Sequence, residues 1–308
     1  MKLVAVGTVA FDSIETPFAK SEKVVGGAAT YITLAASHFV DECGLISVVG
    51  DDFPTSTLDE MKARNIDLQG LEIKPGEKSF YWSGKYHYDF NTRDTLVTEL
   101  NVLAGFNPVV PPSYKKTSFL MLGNLDPRIQ LSVIAQFEER PHLIVMDTMN
   151  FWMDTAWDNL MLALKEVDVL TINDEEARQL TREYSLVKAA RKIMEMGPQY
   201  VVIKKGEHGA LLFHERSIFF SPALPMEEVA DPTGAGDTFA GGFIGYLAKT
   251  HNTSFDNMKR AVIVGSAMAS FACEKFGPQR LLELTQDEIN ERIEEFVELM
   301  DVEILIED

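Results

Sequence analysis

The sequence predicts an α/β fold, doubly wound, with a mostly parallel sheet covered by helices on both faces. Three observations carry this. Short apolar runs alternate with segments of helical period. Several of those runs are apolar on both faces, as strands of a covered parallel sheet are. At 308 residues, 46% hydrophobic and 24% charged, the chain can bury a large core. In order, strands are expected at Leu3–Val6, Cys43–Val49, Ser118–Leu122, Leu143–Met146, Val167–Ile172, Tyr200–Ile203 and Ala210–Phe213. Helices are expected at Ala28–Phe39, Thr55–Arg64, Gln130–Glu138, Asp158–Leu164, Asp174–Leu180, Leu186–Met196, Thr238–Ala248 and Met258–Phe276. The last, Asp287–Met300, puts Ile289, Ile293, Phe296 and Met300 on one stripe above a solvated Glu-rich face.

Residues 70–101 break the rhythm. Phe80-Tyr81-Trp82, Tyr86, Tyr88 and Phe90 crowd together with β-formers, as in a small separate sheet. Asn107 to Pro112 reads as a stiff return to the core. The net charge of −19 argues against a nucleic-acid partner, since no basic surplus exists to neutralise phosphates. It leaves small phosphorylated ligands open, which need only a local nest and a cation. Cys43 and Cys273 make no metal-ligand spacing and read as buried thiols. The first strand is too short for a signal-peptide core, and the apolar uncharged run Ala261 to Cys273 is too short to span a bilayer. No membrane association and a cytoplasmic location are expected.

The most informative stretch is Asp231-Pro232-Thr233-Gly234-Ala235-Gly236-Asp237, followed by Thr238-Phe239-Ala240-Gly241-Gly242. Small residues at 234–236 let backbone N–H groups approach an anion, and a helix starting near Asp237 adds its own unpaired N–H groups. A carboxylate repels a resting phosphate. It fits here as a base, taking a proton from a hydroxyl as a phosphoryl group is transferred to it. Asp in a first helical turn and glycine turns before helices are also common without function. A dinucleotide fold is disfavoured because Pro232 interrupts the strand that would run into the turn.

This run, with Asp231, Gly234, Ala235, Gly236, Asp237, Phe239 and Gly242 in place, resembles the hallmark of the ribokinase or PfkB family of carbohydrate and nucleoside kinases. So, in the family's order, do Gly7 to Asp12, Gly26-Gly27-Ala28-Ala29, Gly50-Asp51-Asp52-Phe53, Asn173-Asp174-Glu175-Glu176 and Lys205-Gly206-Glu207-His208-Gly209. The resemblance implies a ribokinase-like core built from 1–11, 26–69 and 102–308, and a β-lid from 12–25 and 70–101 that closes over substrate and often pairs two subunits. It implies Asp237 as general base and the amides of Ala235, Gly236 and Asp237 as an anion hole. Asp12, with the Gly26-Gly27 backbone, would hold substrate hydroxyls. Asn173 and Glu176 would organise Mg²⁺ through water. Lys205, Gly206, Gly209 and Gly265 would border ATP, although Lys204 and Lys205 also read as surface charges and Gly265 as helix packing. Asp231 and Thr233 match positions that hold a monovalent cation, K⁺, in some relatives.

Departures bear on the substrate. Tyr31 stands where the family's second turn usually carries a sugar-contacting Asn, and Asp147 to Asn150 fits the family's D-x-N loop only loosely. Tyr31, Arg93 and Asn124, with Trp82 and Tyr88, are candidate specificity residues. Arg93 reads either as the partner of a phosphate already on the substrate or as a lid ion pair. The expected activity is ATP- and Mg²⁺-dependent phosphorylation of an alcohol hydroxyl of a small sugar or polyol. The alternatives are a nucleoside acceptor with the same chemistry, or a catalytically silent relative that binds sugar or nucleotide.

Overall fold

Val4 and Val6 of β1 (Leu3–Val6) turn to one side and Leu3 and Ala5 to the other, and all four are fully buried. Only a strand with neighbours on both edges and cover on both faces is buried in this way. In the computed structural model, which describes residues 1–301, the chain leaves β1 through β2 (Ala10–Glu15) and β3 (Lys20–Gly26). It returns through α1 (Ala28–Ala36), β4 (Cys43–Gly50), α2 (Thr55–Ala63) and β5 (Ile66–Lys74). A second excursion gives β6 (Phe80–Tyr86) and β7 (Arg93–Glu99). Then follow β8 (Phe119–Leu122), α3 (Pro127–Ile134), β9 (Leu143–Asp147), α4 (Asn150–Thr155), α5 (Trp157–Glu166), β10 (Val169–Asn173), α6 (Asp174–Thr181) and α7 (Leu186–Met196). The chain closes with β11 (Tyr200–Lys204), β12 (Ala210–His214), β13 (Ser217–Ser221), α8 (Ala235–Thr250), α9 (Phe255–Ala272), α10 (Gln279–Glu283) and α11 (Gln286–Glu298).

The large sheet runs β13-β12-β11-β10-β9-β8-β1-β4-β5, parallel from β11 to β5 and antiparallel only at the β12 and β13 edge. On one face Val4 and Val6 pack with Val133 of α3, Leu160 of α5, Leu180 of α6 and Ile193 of α7. On the other, Leu3 and Ala5 meet Ile32 of α1, Phe243 of α8 and Val262 of α9. Among the described residues no helix is long and apolar enough to cross a membrane.

A separate four-stranded sheet, β3-β2-β6-β7, is the lid-like element, with β2 and β6 parallel at its centre. Both of its crossings are fastened. At the first, Gly27 sits at φ 90°, where a Cβ would lie 2.5 Å from the Thr8 carbonyl oxygen. At the second, Asp52 Oδ1 accepts from Ser79 N and Oγ at 2.8 and 2.7 Å, and Ser79 Oγ accepts from Gly50 N at 3.0 Å.

Several boundaries differ from expectation. The break expected at 69/70 falls inside β5, whose residues pair in parallel with β4 in the large sheet. The breaks at 11/12 and 25/26 fall inside β2 and β3. Helix α3 begins earlier than Gln130, because Asp126 caps it by accepting from Arg128 N at 2.9 Å and Pro127 takes the first position. Helix α9 starts at Phe255 because Ser254 caps Asn257 N. Residues 302–308, the end of the expected core segment, lie outside the described residues.

Candidate active site

The strand ends and the start of α8 converge on one cleft. Gly234 adopts the left-handed conformation (φ 78°) as the N-cap of α8, so the chain turns into the helix with its amides facing outward. Ala235, expected in the anion hole, instead donates its N–H to the Pro232 carbonyl at 3.2 Å. The N–H groups of Gly236 and Asp237 have no backbone or side-chain partner among the described residues. They are free donors at the start of the helix.

Asp237 is the third residue of α8 and half-buried. Burial and then the charge of Asp147 push its pKa up to about 7, against the pull of Lys204 and Arg93. Asp12, on β2 and 5% exposed, is also raised to about 7. Burial is the main cause, opposed by the Gly27 N–H and reinforced by the charges of Asp231 and Asp237. A Cβ at Gly26 would lie 1.9 Å from Asp12 Oδ2, so only glycine leaves room for this carboxylate. Glu176 is held by a reciprocal cap: its N–H donates to Asn173 Oδ1 at 2.8 Å and its Oε2 accepts from Asn173 N at 3.0 Å. Burial and Asp147 raise its pKa to about 7.

Tyr31 lies beneath this surface rather than on it. It is 1% exposed, and a Cβ at Gly234 would come within 2.4 Å of its ring. Among the described residues its hydroxyl has no hydrogen-bond partner. Burial and the charges of Asp12, Asp231 and Asp237 hold its proton on firmly. Asp231 is fully buried: Oδ1 accepts from Thr233 N at 2.8 Å, while Oδ2 has no partner among the described residues. Burial raises its pKa to about 6. Thr233 Oγ1 donates to the Tyr86 hydroxyl at 3.2 Å, joining the turn to β6. Arg93 reaches in from β7 with its guanidinium 5.9 Å from the Trp82 ring centroid, and it lowers the pKa values of Asp12, Asp237 and Glu176.

Other expected residues fall elsewhere. Asn124 is occupied at the end of β8, accepting from Trp152 Nε1 at 2.8 Å. Gly265 is buried at the α8–α9 crossing, where a Cβ would meet the Phe239 carbonyl at 2.8 Å, so packing explains it. Gly206 and Gly209 shape the turn after β11, where Lys205 N donates to Gly209 O at 2.8 Å. The lid tip meets this turn: a Cβ at Gly206 would lie 2.1 Å from Asn91 Oδ1. Lys204, not Lys205, points into the cleft, and its Nζ donates to Asp147 Oδ2 at 2.7 Å. In the sequence Lys204 reads as a surface charge and Asp147 as part of a loosely fitting loop, with no role at the site for either. Strand alternation was the available signal, since residues 204 and 205 must face opposite ways. No cluster of three or more His, Cys, Asp or Glu side chains suited to direct metal binding occurs among the described residues.

Comparison with known proteins agrees with this geometry. The pfkB family of carbohydrate kinases matches over residues 2–284. The chain is 30% identical over 247 residues to a cytidine kinase of Thermococcus kodakarensis, covering 79% of this chain and 87% of that one. Its fold is similar to that of a nucleoside kinase of Methanocaldococcus jannaschii, an archaeal member of the ribokinase family (TM-score 0.76, 21% identity, 96% of this chain and 99% of that one). It is also similar to a ribokinase II of E. coli in complex with ATP and Mg²⁺ (TM-score 0.78, 19% identity, 97% and 99%). With the family's pattern running through nearly the whole chain and its motif residues meeting in one cleft, the chain belongs to the pfkB family and is a phosphotransferase of the ribokinase type.

Proposed function

We propose that this kinase transfers the γ-phosphoryl group of ATP to a hydroxyl of a sugar-bearing acceptor, with Asp237 as general base. The observation that carries the reading is the position of Asp237: third in α8, beside two partnerless N–H groups, with a pKa of about 7. A carboxylate near that value is ionised in a useful fraction at neutral pH and is still basic enough to take a hydroxyl proton. As the acceptor oxygen bonds to phosphorus, its proton passes to Asp237. The bond from phosphorus to the ADP oxygen breaks, and that oxygen keeps the electron pair. The Gly236 and Asp237 amides hold the charge on the phosphoryl oxygens. Asp12, seated against Gly26 and Gly27, accepts from acceptor hydroxyls, and Arg93 closes over them from the lid.

Bound Mg²⁺ would supply charge neutralisation on the phosphates. Glu176, fixed by Asn173, fits it through water, in keeping with a site that offers few direct ligands. The unpartnered Asp231 Oδ2, with Thr233 beside it, fits a monovalent cation such as K⁺. The likeness to cytidine and nucleoside kinases favours a nucleoside acceptor over the free sugar or polyol first suggested by the sequence. Trp82, half-buried and in register with Asp12 on the neighbouring strand, suits a base as well as a sugar face.

The test is ADP release across nucleosides, sugars, cyclitols and sugar phosphates, with Asp237→Asn alongside. The expected result is a response to a nucleoside that falls about 10²–10⁴-fold in the variant while ADP still binds. Full turnover in Asp237→Asn would remove the base assignment. A response confined to free sugars would restore the polyol acceptor, and nucleotide binding without turnover on any acceptor would favour the silent relative.

A further inference from the structure

We infer that Lys204 is the side-chain cation that meets the transferring phosphoryl group, and that Asp147 is the positioning residue that holds it there. The inference rests on the phosphotransfer reading and adds a catalytic group to it.

Lys204 ends β11 and its side chain is 17% exposed, so the ammonium lies at the cleft rather than in bulk solvent. A Cβ built on Gly236 would lie 3.1 Å from Nζ and 3.8 Å from Cε. The ammonium therefore stands over the first turn of α8, beside the free N–H groups of Gly236 and Asp237. A larger residue at 236 would displace it. Asp147 is itself immobilised: Oδ1 accepts from Thr148 N at 2.7 Å, leaving Oδ2 for Lys204 at 2.7 Å. An ammonium has three donors, and Asp147 takes one. Two remain for phosphoryl oxygens arriving at the helix start, where Asp237 and Glu176 already place negative charge near Lys204. A fixed positive group at this point offsets those carboxylates when a polyphosphate enters. It also strengthens as charge builds on the phosphoryl oxygens. Lys205 has no such geometry: its backbone closes the 205–209 turn.

The experiment compares Lys204→Met, Lys204→Arg, the double variant Lys204→Met with Asp147→Asn, and Asp237→Asn. Each is assayed at saturating acceptor, and ADP binding is measured by calorimetry. The expected result for Lys204→Met is a kcat lower by about 10²–10³-fold with acceptor KM and ADP affinity within a few-fold of the parent. Lys204→Arg should recover part of the loss. The double variant carries no orphaned carboxylate and should stay as slow as Lys204→Met. Recovery of the double variant to the parent rate would overturn the inference, showing that Lys204 only neutralises Asp147. So would loss of ADP affinity in step with kcat, which would make Lys204 a ground-state nucleotide anchor. An inactive Asp237→Asn beside a fully active Lys204→Met would sink this inference alone. A fully active Asp237→Asn would sink the phosphotransfer reading itself.

Discussion

Two charged clusters of this protein have opposite accounts of their carboxylates. Beyond the end of α9, Glu274 gives one oxygen to Arg280 Nε at 2.6 Å and the other to an Arg292 nitrogen at 2.8 Å. Arg280 also reaches Glu288 at 2.8 Å, and both guanidiniums lie over the Phe271 ring, 5.1 and 4.0 Å from its centroid. Here each of these carboxylates has an arginine partner, and Glu288 is drawn down to about 2, first by the Thr285 N–H and then by Arg280. In the cleft, Asp12, Asp231, Glu176 and Asp237 outnumber the cations that face them, and burial pushes all four up to about 6–7. The first cluster is complete as it stands and braces α9 against α10 and α11. The second is stable only in part without something to bind, which is how a site differs from a staple.

The comparison can be broken most strongly at Gly26. Gly26→Ala places a methyl where Asp12 Oδ2 now sits, so Asp12 must move. Acceptor kcat/KM should fall about 100-fold, about 3 kcal/mol of transition-state binding, with ADP affinity unchanged by calorimetry. An unchanged acceptor kcat/KM would remove Asp12 from the acceptor site.

On the other side, Arg292→Met leaves one oxygen of Glu274 without a partner and removes the donor to Ser270 Oγ, which keeps its own bond to the Ala267 carbonyl at 2.7 Å. Partial exposure of the pair moderates the cost to about 2 kcal/mol. Urea unfolding should show the loss while acceptor KM stays put. A change in KM with no loss of stability would show the two clusters to be coupled.

The smallest effect is the most diagnostic. Asp12 and Asp237 keep their protons to about pH 7 in the folded state, whereas the unfolded chain releases them near 3.8. Between those values the native state binds more protons, so unfolding free energy falls as pH rises from about 4 to 7. Asp12→Asn removes one such penalty, and should be more stable than the parent at pH 8 by roughly 1–2 kcal/mol and no more stable at pH 4. Denaturant midpoints at the two pH values decide it. A variant less stable than the parent at pH 8 would mean that the carboxylate makes compensating bonds.

Much of this was legible in the sequence. Strands buried on both faces show as continuous apolar runs, and β1, β4 and β11 were readable for that reason. Edge strands β5 and β13 were not, because half-exposed, charge-bearing sequences such as Ile66–Lys74 carry no such run. The 231–237 turn was legible because its glycine positions are dictated by backbone geometry. Lys204 and Asp147 were not, because their pairing joins residues 57 apart that meet only when β9 and β11 flank β10. Tyr31 was identified as unusual but its burial was not, since what covers it is the Gly234 turn two hundred residues away.

Asp12 belongs to β2, a central strand of the smaller sheet, whereas Asp237 is set in a helix of the larger one. Any tilt of the smaller sheet carries Asp12 with it and leaves Asp237 in place. With the roles proposed for these two carboxylates, the acceptor would be delivered to a stationary base, and a hydroxyl's reach from Asp12 would act as a ruler. Molecules too short or too long for that span would be held firmly and presented out of range.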